Sequence, residues 1–164
     1  MELALSSRHT LRRNLNLYPF LNYAYSDYTF DEFLDGEKDF SGNELTGTAQ
    51  HIASAGVRFT AFGNDAFYGN INYQFVDAMP LRDDNSVYSD AYSLVNLKLG
   101  YRLDLDKNWL LDFSGGINNL FDEQYASMLL INAGSFGGRA PRYYYPGLPV
   151  NFYGGIAIKY QIGK

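Results

Sequence analysis

The sequence predicts an all-β fold, an antiparallel transmembrane β-barrel segment of about seven strands with short periplasmic turns and long extracellular loops. Three observations support this prediction. Apolar side chains alternate with other side chains along several segments, which gives each strand one apolar face. Several of these segments exceed the usual strand length of about 5–6 residues and suit the roughly 9–11 residues that a tilted strand needs to cross a bilayer. The connections between them alternate between short and long, as in outer-membrane barrels.

The predicted strands start short and become clearer along the chain. They cover residues 2–8, 15–28, 51–62, 67–77, 92–103, 109–117 and 150–162. The alternation is cleanest from Phe67 to Asp77, and the last strand is apolar along one whole face from Val150 to Ile162. Pro19 predicts a bulge or an unpaired site in the second strand, because proline has no N–H to donate to a ladder.

The connections complete the predicted layout. Short turns are expected at residues 9–14, 63–66 and 104–108, and long loops at 29–50, 78–91 and 118–149. No helix is required anywhere, although Leu129-Leu-Ile131 has the composition to start one inside the third loop. The Gly115-Gly116 and Gly154-Gly155 pairs predict bends in the strands or close approach of another group.

An odd number of strands predicts a fragment. Bacterial outer-membrane barrels usually have an even number, and an open edge in lipid leaves costly unpaired backbone groups. The first residues, Met1 to Arg8, also lack the pattern of a signal peptide. We therefore expect residues 1–164 to be the C-terminal portion of a larger barrel.

The composition excludes several classes of function. The formal net charge of −5 argues against a nucleic-acid groove, which needs a basic stripe. No disulfide is possible, because the chain has no cysteine. Aromatic residues make up 17% of the chain, mostly tyrosine, whose apolar ring and polar hydroxyl suit a membrane–water boundary.

Catalysis and metal binding have little support in the sequence. His9 and His51 are the only histidines, and no nucleophile, base and orienting group occur together, so we expect no enzyme and no cofactor. One loop is rich in carboxylates, which suit Ca²⁺, but their spacing does not match an EF-hand. We interpret it as a solvated acidic loop without a metal; its carboxylates are Asp27, Asp31, Glu32, Asp35, Glu37 and Asp39.

Several motifs resemble those of one family. Asn118-Asn-Leu-Phe-Asp-Glu-Gln-Tyr125 is similar to the N-N-L-F-D-x-x-Y run near the end of TonB-dependent outer-membrane receptors. Segment 142–149, Arg-Tyr-Tyr-Tyr-Pro-Gly-Leu-Pro, and the start of the last strand at 152–155 are similar to the family's entry into its final strand. Segment 42–51 resembles the family's G-N-x-L-P-G-x-P-x-H run, with Thr46 and Ala49 in place of the prolines, and 95–102 is similar to a family strand. Ile162 holds the place where the family usually has a terminal aromatic residue.

The resemblance implies a function for the whole receptor. Such receptors are barrels of roughly 22 strands around an internal plug. They take up ferric siderophores, cobalamin or similar scarce ligands across the Gram-negative outer membrane, energised through TonB. This chain would supply about the last seven strands and would not transport alone. Its partners would be outer-membrane lipid, the remainder of the receptor and, only through the missing plug, TonB.

Two sets of candidate site residues follow. Arg139, Arg142, Tyr143 and Tyr144 are expected to bind ligand in an extracellular loop, because arginine grips carboxylate or catecholate oxygens and tyrosine offers stacking area. The competing interpretation is an interfacial tyrosine girdle, above all for Tyr145 beside Pro146. A second, polar set is expected to face the lumen and the plug; it comprises Arg58, Asn70, Asn72, Gln74, Lys98, Arg102 and Asp112.

Two other hypotheses stay open at this stage. The chain could be a self-contained small outer-membrane barrel with a structural or adhesive role, whose edges close by oligomerisation. It could also be a soluble β-barrel that binds an apolar ligand inside, in which case the apolar face would point inward.

Overall fold

A computed structural model describes residues 1–12, 14–62 and 65–162, and these residues form β-strands and loops without an α-helix. The strands in chain order are β1 (Glu2–Ser6), β2 (His9–Arg12), β3 (Leu15–Tyr25), β4 (Leu34–Asp35), β5 (Lys38–Asp39), β6 (His51–Ala61), β7 (Phe67–Val76), β8 (Tyr92–Asp104), β9 (Trp109–Asn118), β10 (Ala126–Leu129), β11 (Tyr144–Pro146) and β12 (Asn151–Tyr160). In the described part of the chain no helix is long and apolar enough to cross a membrane.

One antiparallel sheet contains all the long strands. Its order is β1-β3-β6-β7-β8-β9-β12, with β2 continuing alongside β3 where β1 stops. Each strand pairs with its neighbours in the chain, so the sheet is a meander, and among the described residues it stays open at β1 and β12. The all-β antiparallel fold and the alternation of short and long connections are therefore confirmed.

The structure corrects the prediction at three places. Residues 9–12 are strand β2 rather than part of a turn, because they pair with the start of β3. Leu129 ends strand β10, which pairs with β11, and does not start a helix. A small hairpin of β4 and β5 lies in the first long loop, where no strand was expected. Gly63 and Asn64 of the expected turn, and Gly163 and Lys164, lie outside the described residues.

Pro19 interrupts pairing on only one side of β3. Towards β6 the register runs through it unbroken, with Pro19 opposite Val57. On the other side, Ser7 and Arg8 separate β1 from β2 opposite this point, and the Ser7 N–H donates to the Pro19 carbonyl at 3.2 Å. The missing proline N–H is thus accommodated where the neighbouring strand is itself broken.

The register divides the sheet into an apolar and a polar face. Directly opposed residues of an antiparallel pair share a face, so Leu17, Phe59, Gly69 and Leu99 form one row on the apolar side. Many apolar side chains of this face are exposed, from 40% for Tyr73 and Leu99 on the inner strands to 74% for Phe152 on the edge strand. An extensive exposed apolar face marks an interaction with a partner or a membrane.

Aromatic rings concentrate at the two ends of the apolar face. Near the short turns, Phe59 packs on Phe67 and Trp109 on Tyr160, with ring centroids 5.6 and 4.7 Å apart. Near the long loops lie Tyr73 and Phe75. Phe67 and Phe75 are eight residues apart on β7, which corresponds to roughly 20–27 Å for a strand tilted by as much as about 45°. This spacing matches the apolar band of about 25 Å between the aromatic girdles of outer-membrane barrels.

Glycines opposite aromatic side chains lock neighbouring strands together. On the polar face Tyr68 lies directly opposite Gly100 and covers it, and Tyr153 covers Gly116 in the same way. The Tyr68 hydroxyl donates to Asp112 Oδ1 at 2.5 Å, and the Arg102 guanidinium lies 4.5 Å from the centroid of its ring. Gly100 is needed here because a Cβ atom would occupy the space of a ring that is held from two sides.

We expect Gly100→Ala to destabilise the sheet by about 1–3 kcal/mol, because overpacking forces the Tyr68 ring out of its contacts. The measurement is urea unfolding of the chain from detergent micelles, followed by circular dichroism. Gly155→Ala is the matched control, because a Cβ at Gly155 meets nothing within 4 Å. Equal midpoints for the two variants would contradict the locking role of this pair.

Candidate binding site

Three long loops gather at one end of the sheet. Residues 26–50 join β3 to β6, residues 77–91 join β7 to β8, and residues 119–150 join β9 to β12. Each connects strands at the same end of the meander, so the loops are neighbours in space. We call them the first, second and third loop.

Asp83 of the second loop ties the three loops together. Its carboxylate accepts hydrogen bonds from the Thr46 hydroxyl of the first loop at 2.6 Å and from the Asn132 amide of the third loop at 2.9 Å. Its N–H donates to Asn132 Oδ1 at 3.2 Å, and its carbonyl accepts from Asn43 Nδ2 at 2.7 Å. One residue therefore fixes the relative position of all three loops.

A second connection joins the first two loops through Asn85 and Glu44. The Glu44 N–H donates to Asn85 Oδ1 at 2.7 Å, and Asn85 Nδ2 donates to the Glu44 carbonyl at 3.1 Å. The Asn85 amide thus replaces a strand neighbour, pairing with both backbone groups of Glu44. The Tyr88 hydroxyl donates to Glu44 Oε2 at 3.2 Å. Burial raises the pKa of Tyr88, and the Glu44 carboxylate adds to this effect, so the phenol stays protonated.

The centre of this loop assembly is apolar. Leu81 is only 1% exposed, and Pro80 beside it is also fully buried. The Pro80 carbonyl accepts from the Gly47 N–H and the Leu81 carbonyl from the Asn132 N–H, both at 2.8 Å. The second loop is therefore held between the other two.

Asn119 builds the start of the third loop. This residue is 3% exposed and has a positive φ of 51°, a conformation that asparagine tolerates better than most residues. Its side-chain amide donates to the carbonyls of Glu123 and Leu148, and its Oδ1 accepts from the Glu123 N–H. The N-N-L-F-D segment is thus a structural joint that closes both ends of the loop onto β9.

The structure separates the four residues expected to bind ligand into two pairs. Arg139 and Arg142 line an open cavity of about 700 Å³, the arginine groove, together with Leu130, Ile131 and Phe136. Phe136 is 91% exposed, so this groove presents both positive charge and an apolar ring.

Tyr143 and Tyr144 line a different cavity, the tyrosine groove, of about 450 Å³ between the second and third loops. Tyr88, Tyr92 and Tyr125 share it, and the rings of Tyr92 and Tyr125 pack with centroids 5.1 Å apart. Composition alone did not single out Tyr88, Tyr92 and Tyr125, because only the pairing of the loops brings these residues together.

The seven polar residues expected in the lumen all lie on the polar face. Arg58, Asn70 and Lys98 are directly opposite one another across β6, β7 and β8. Arg102 and Asp112 are opposed on β8 and β9 and form an ion pair with an Nε–Oδ2 distance of 3.5 Å. Asn72 lies opposite Gly56, and Gln74 opposite Ser54. The position of this face next to a lumen and a plug stays a prediction.

Carboxylates dominate the loop end. The three loops contain thirteen Asp and Glu residues and four Lys and Arg residues, whereas the remainder of the chain is net positive. In residues 1–12, 14–62 and 65–162, no three His, Asp or Glu side chains are grouped so that they could hold a metal ion. The acidic residues occur in all three loops, with seven in the first, four in the second and two in the third.

We expect Asp83→Ala to loosen the loops, because it leaves the Thr46 hydroxyl and the Asn132 amide without their acceptor, a local cost of about 1–3 kcal/mol. Limited trypsin digestion should then cleave faster at Lys38 in the first loop and at Arg139 in the third loop. Asp84→Ala is the control, because that carboxylate bonds only Ser86 and Arg82 within its own loop. Cleavage at the same rate in both variants would show that Asp83 does not hold the loops together.

Comparison with known proteins relates this geometry to one family. A family profile described as "TonB dependent receptor-like, beta-barrel" matches residues 1–120. This match covers most of the sheet and the first two loops.

Two solved structures share the fold. One is the siderophore receptor PiuA from Acinetobacter baumannii, with a TM-score of 0.63 and 15% identity over 98% of this chain and 21% of that one. The other is the ferric-catecholate import receptor Fiu from E. coli K12, with a TM-score of 0.58 and 18% identity over 96% of this chain and 20% of that one. The chain therefore spans about one fifth of the length of each.

Proposed function

The chain belongs to the TonB-dependent receptor β-barrel family, and we propose that it forms the C-terminal portion of the barrel of an outer-membrane receptor for ferric siderophores, cobalamin or a similar scarce ligand. The observation that carries the proposal is an open antiparallel sheet with one apolar face, joined to three long loops that build grooves at one end. The chain then acts in transport and not as an enzyme. Its partners are outer-membrane lipid on the apolar face and the remainder of the receptor, with TonB reached only through the plug.

The two open edges favour a partner sheet over self-association. Six antiparallel pairings separate β1 from β12, so both edge strands run in the same direction. Copies of the chain with their loops on the same side of a membrane would have to pair these edges in parallel. A closed antiparallel barrel instead requires an odd number of further strands, which the other barrel strands of a receptor supply. This topology disfavours the alternative, a small structural or adhesive barrel that closes by oligomerisation.

The polar face fits the proposed lumen. A lumen filled by a plug needs hydrogen-bonding groups on the barrel wall, and Arg58, Asn70, Asn72, Gln74 and Lys98 supply them in adjacent rows. Arg102 and Asp112 satisfy each other within the wall. We assign these residues to contact with the plug and not to catalysis.

An immunoblot of fractionated membranes tests the fragment proposal, with an antibody raised against the loop from Arg139 to Pro149. We expect a band in the outer membrane far above the 18.6 kDa of the chain, because the receptor would include the plug and the other strands. A heat-modifiable outer-membrane band at the mass of the chain or a small multiple would favour the self-contained barrel instead. Absence of any stable band would contradict both functions.

We expect the double change Arg139→Ala and Arg142→Ala to weaken uptake of an oxygen-rich ferric complex roughly tenfold, because each arginine donates charge-assisted hydrogen bonds to the ligand. The measurement is uptake of the radiolabelled iron complex by cells that express the receptor. Lys107→Ala is the control, because it removes positive charge from the short turn at the opposite end of the sheet. Unchanged uptake in the double variant would remove the arginine groove from the ligand path.

A further inference from the structure

We propose that the tyrosine groove binds an organic cation, such as a quaternary or primary ammonium group on the ligand. This inference rests on the proposed function and extends it, because it names a class of ligand group for a part of the loop end that the arginine groove does not cover.

The walls of the tyrosine groove are aromatic. Five tyrosine rings line the cavity, contributed by the second loop, the start of β8 and the third loop: Tyr88, Tyr92, Tyr125, Tyr143 and Tyr144. The face of an aromatic ring carries partial negative charge and attracts a cation, and cages of several rings are the known means of holding ammonium groups. The volume of about 450 Å³ is large enough for an organic group and too large to coordinate a bare ion directly.

The lining of the tyrosine groove is negatively charged. Asp90, Asp122 and Glu123 border the groove, and among the residues that the structure describes no Lys, Arg or His does so. Asp122 already accepts a hydrogen bond from the Val150 N–H at 2.8 Å. Asp90 and Glu123 are therefore the carboxylates that we assign to the ligand. Because the described residues provide no cluster of three ligating groups for a metal ion, the groove suits a cation with diffuse charge.

The electrostatic field around the tyrosine groove is negative. The three loops carry thirteen acidic and four basic residues, and the two arginines of the third loop line the arginine groove instead. A surface of one sign raises the local concentration of ligands with the opposite sign. A cationic group approaching the loop end is therefore attracted to the acidic tyrosine groove, whereas Arg139 and Arg142 attract an anionic group to the arginine groove.

The tyrosine groove is preorganised by contacts within the loops. Leu81, which is fully buried, forms part of its floor, and Gly147 lies directly against the Tyr125 ring, where any side chain would clash. The Asn119 side chain fixes the backbone of Glu123. Walls held in place in this way lose little conformational freedom on binding.

The test compares choline with 3,3-dimethylbutan-1-ol, a neutral molecule of the same shape. Binding of each to the intact receptor, purified in a non-ionic detergent, is measured by ligand-observed saturation-transfer NMR. We expect choline to bind at least about threefold more tightly than the neutral compound, and its affinity to fall as NaCl is raised. Equal affinity for the two compounds, or no binding of choline, would overturn the proposal without any variant.

Two variants locate the binding. Tyr144→Leu should weaken choline binding about threefold, because this ring is exposed and its loss removes one wall. The double change Asp90→Asn and Glu123→Gln should weaken it further and reduce the salt dependence, because it keeps the shape and removes two of the negative charges that border the groove. Lys107→Ala is the control and should bind choline normally, because Lys107 lies in the short turn at the opposite end of the sheet. Each variant is first checked for native β-sheet circular dichroism.

The outcomes separate this inference from the proposed function. If the Tyr144 and carboxylate variants bind choline like the unmodified chain, the tyrosine groove is not the cation site, whatever the arginine variants do to uptake. If choline binds as expected while the arginine variants leave iron uptake unchanged, the cation site stands and the assignment of the arginine groove fails.

Discussion

The sheet depends on the pairing of backbone N–H and C=O groups, because in the proposed membrane setting water cannot replace a missing partner. This explains why the long strands have ten or more residues and pair along almost their whole length, as β6 does with both β3 and β7. It also explains why the one proline in a long strand lies opposite a break in the neighbouring strand. In the proposed membrane setting, the open edges at β1 and β12 leave the same requirement unmet, which makes further strands of the barrel the natural partners.

Side chains adapt the sheet to this pairing. Four aromatic residues lie directly opposite a glycine on the neighbouring strand, three on the polar face and one on the apolar face; they are Phe20, Phe59, Tyr68 and Tyr153. Each ring covers backbone that glycine leaves bare and restores packing across the pair. The glycines therefore contribute to cohesion between strands, where an isolated glycine in a strand would only weaken it.

The sheet was predictable from the sequence because apolar and polar side chains alternate along each long strand, and this alternation reflects the apolar and the polar face of the sheet. The seven predicted strands correspond to β1 and the six strands of ten or more residues, with ends within three residues of the observed ones. The β4–β5 hairpin and the short β10–β11 pair were missed, because strands of two to four residues are too short to show a period-2 pattern. Strand β2 was missed because it has only four residues and its register with β3 shifts between Thr10 and Arg12, so its pairing left no period-2 pattern in the sequence.

The loop end was less predictable because its structure depends on contacts between residues far apart in the chain. The acidic run at 82–85 gave no sign that Asp83 would join three loops, nor did the N-N-L-F-D motif show that Asn119 would be a buried joint. Sequence proximity also grouped the arginines with the tyrosines at 142–144, although Arg142 lines the arginine groove and the adjacent Tyr143 lines the tyrosine groove. Positive charge and aromatic surface are therefore presented at two separate places. The two proposed sites together predict a ligand with oxygen-rich groups at one end and a cationic group at the other, selected by the separation of its charges as well as by their sign.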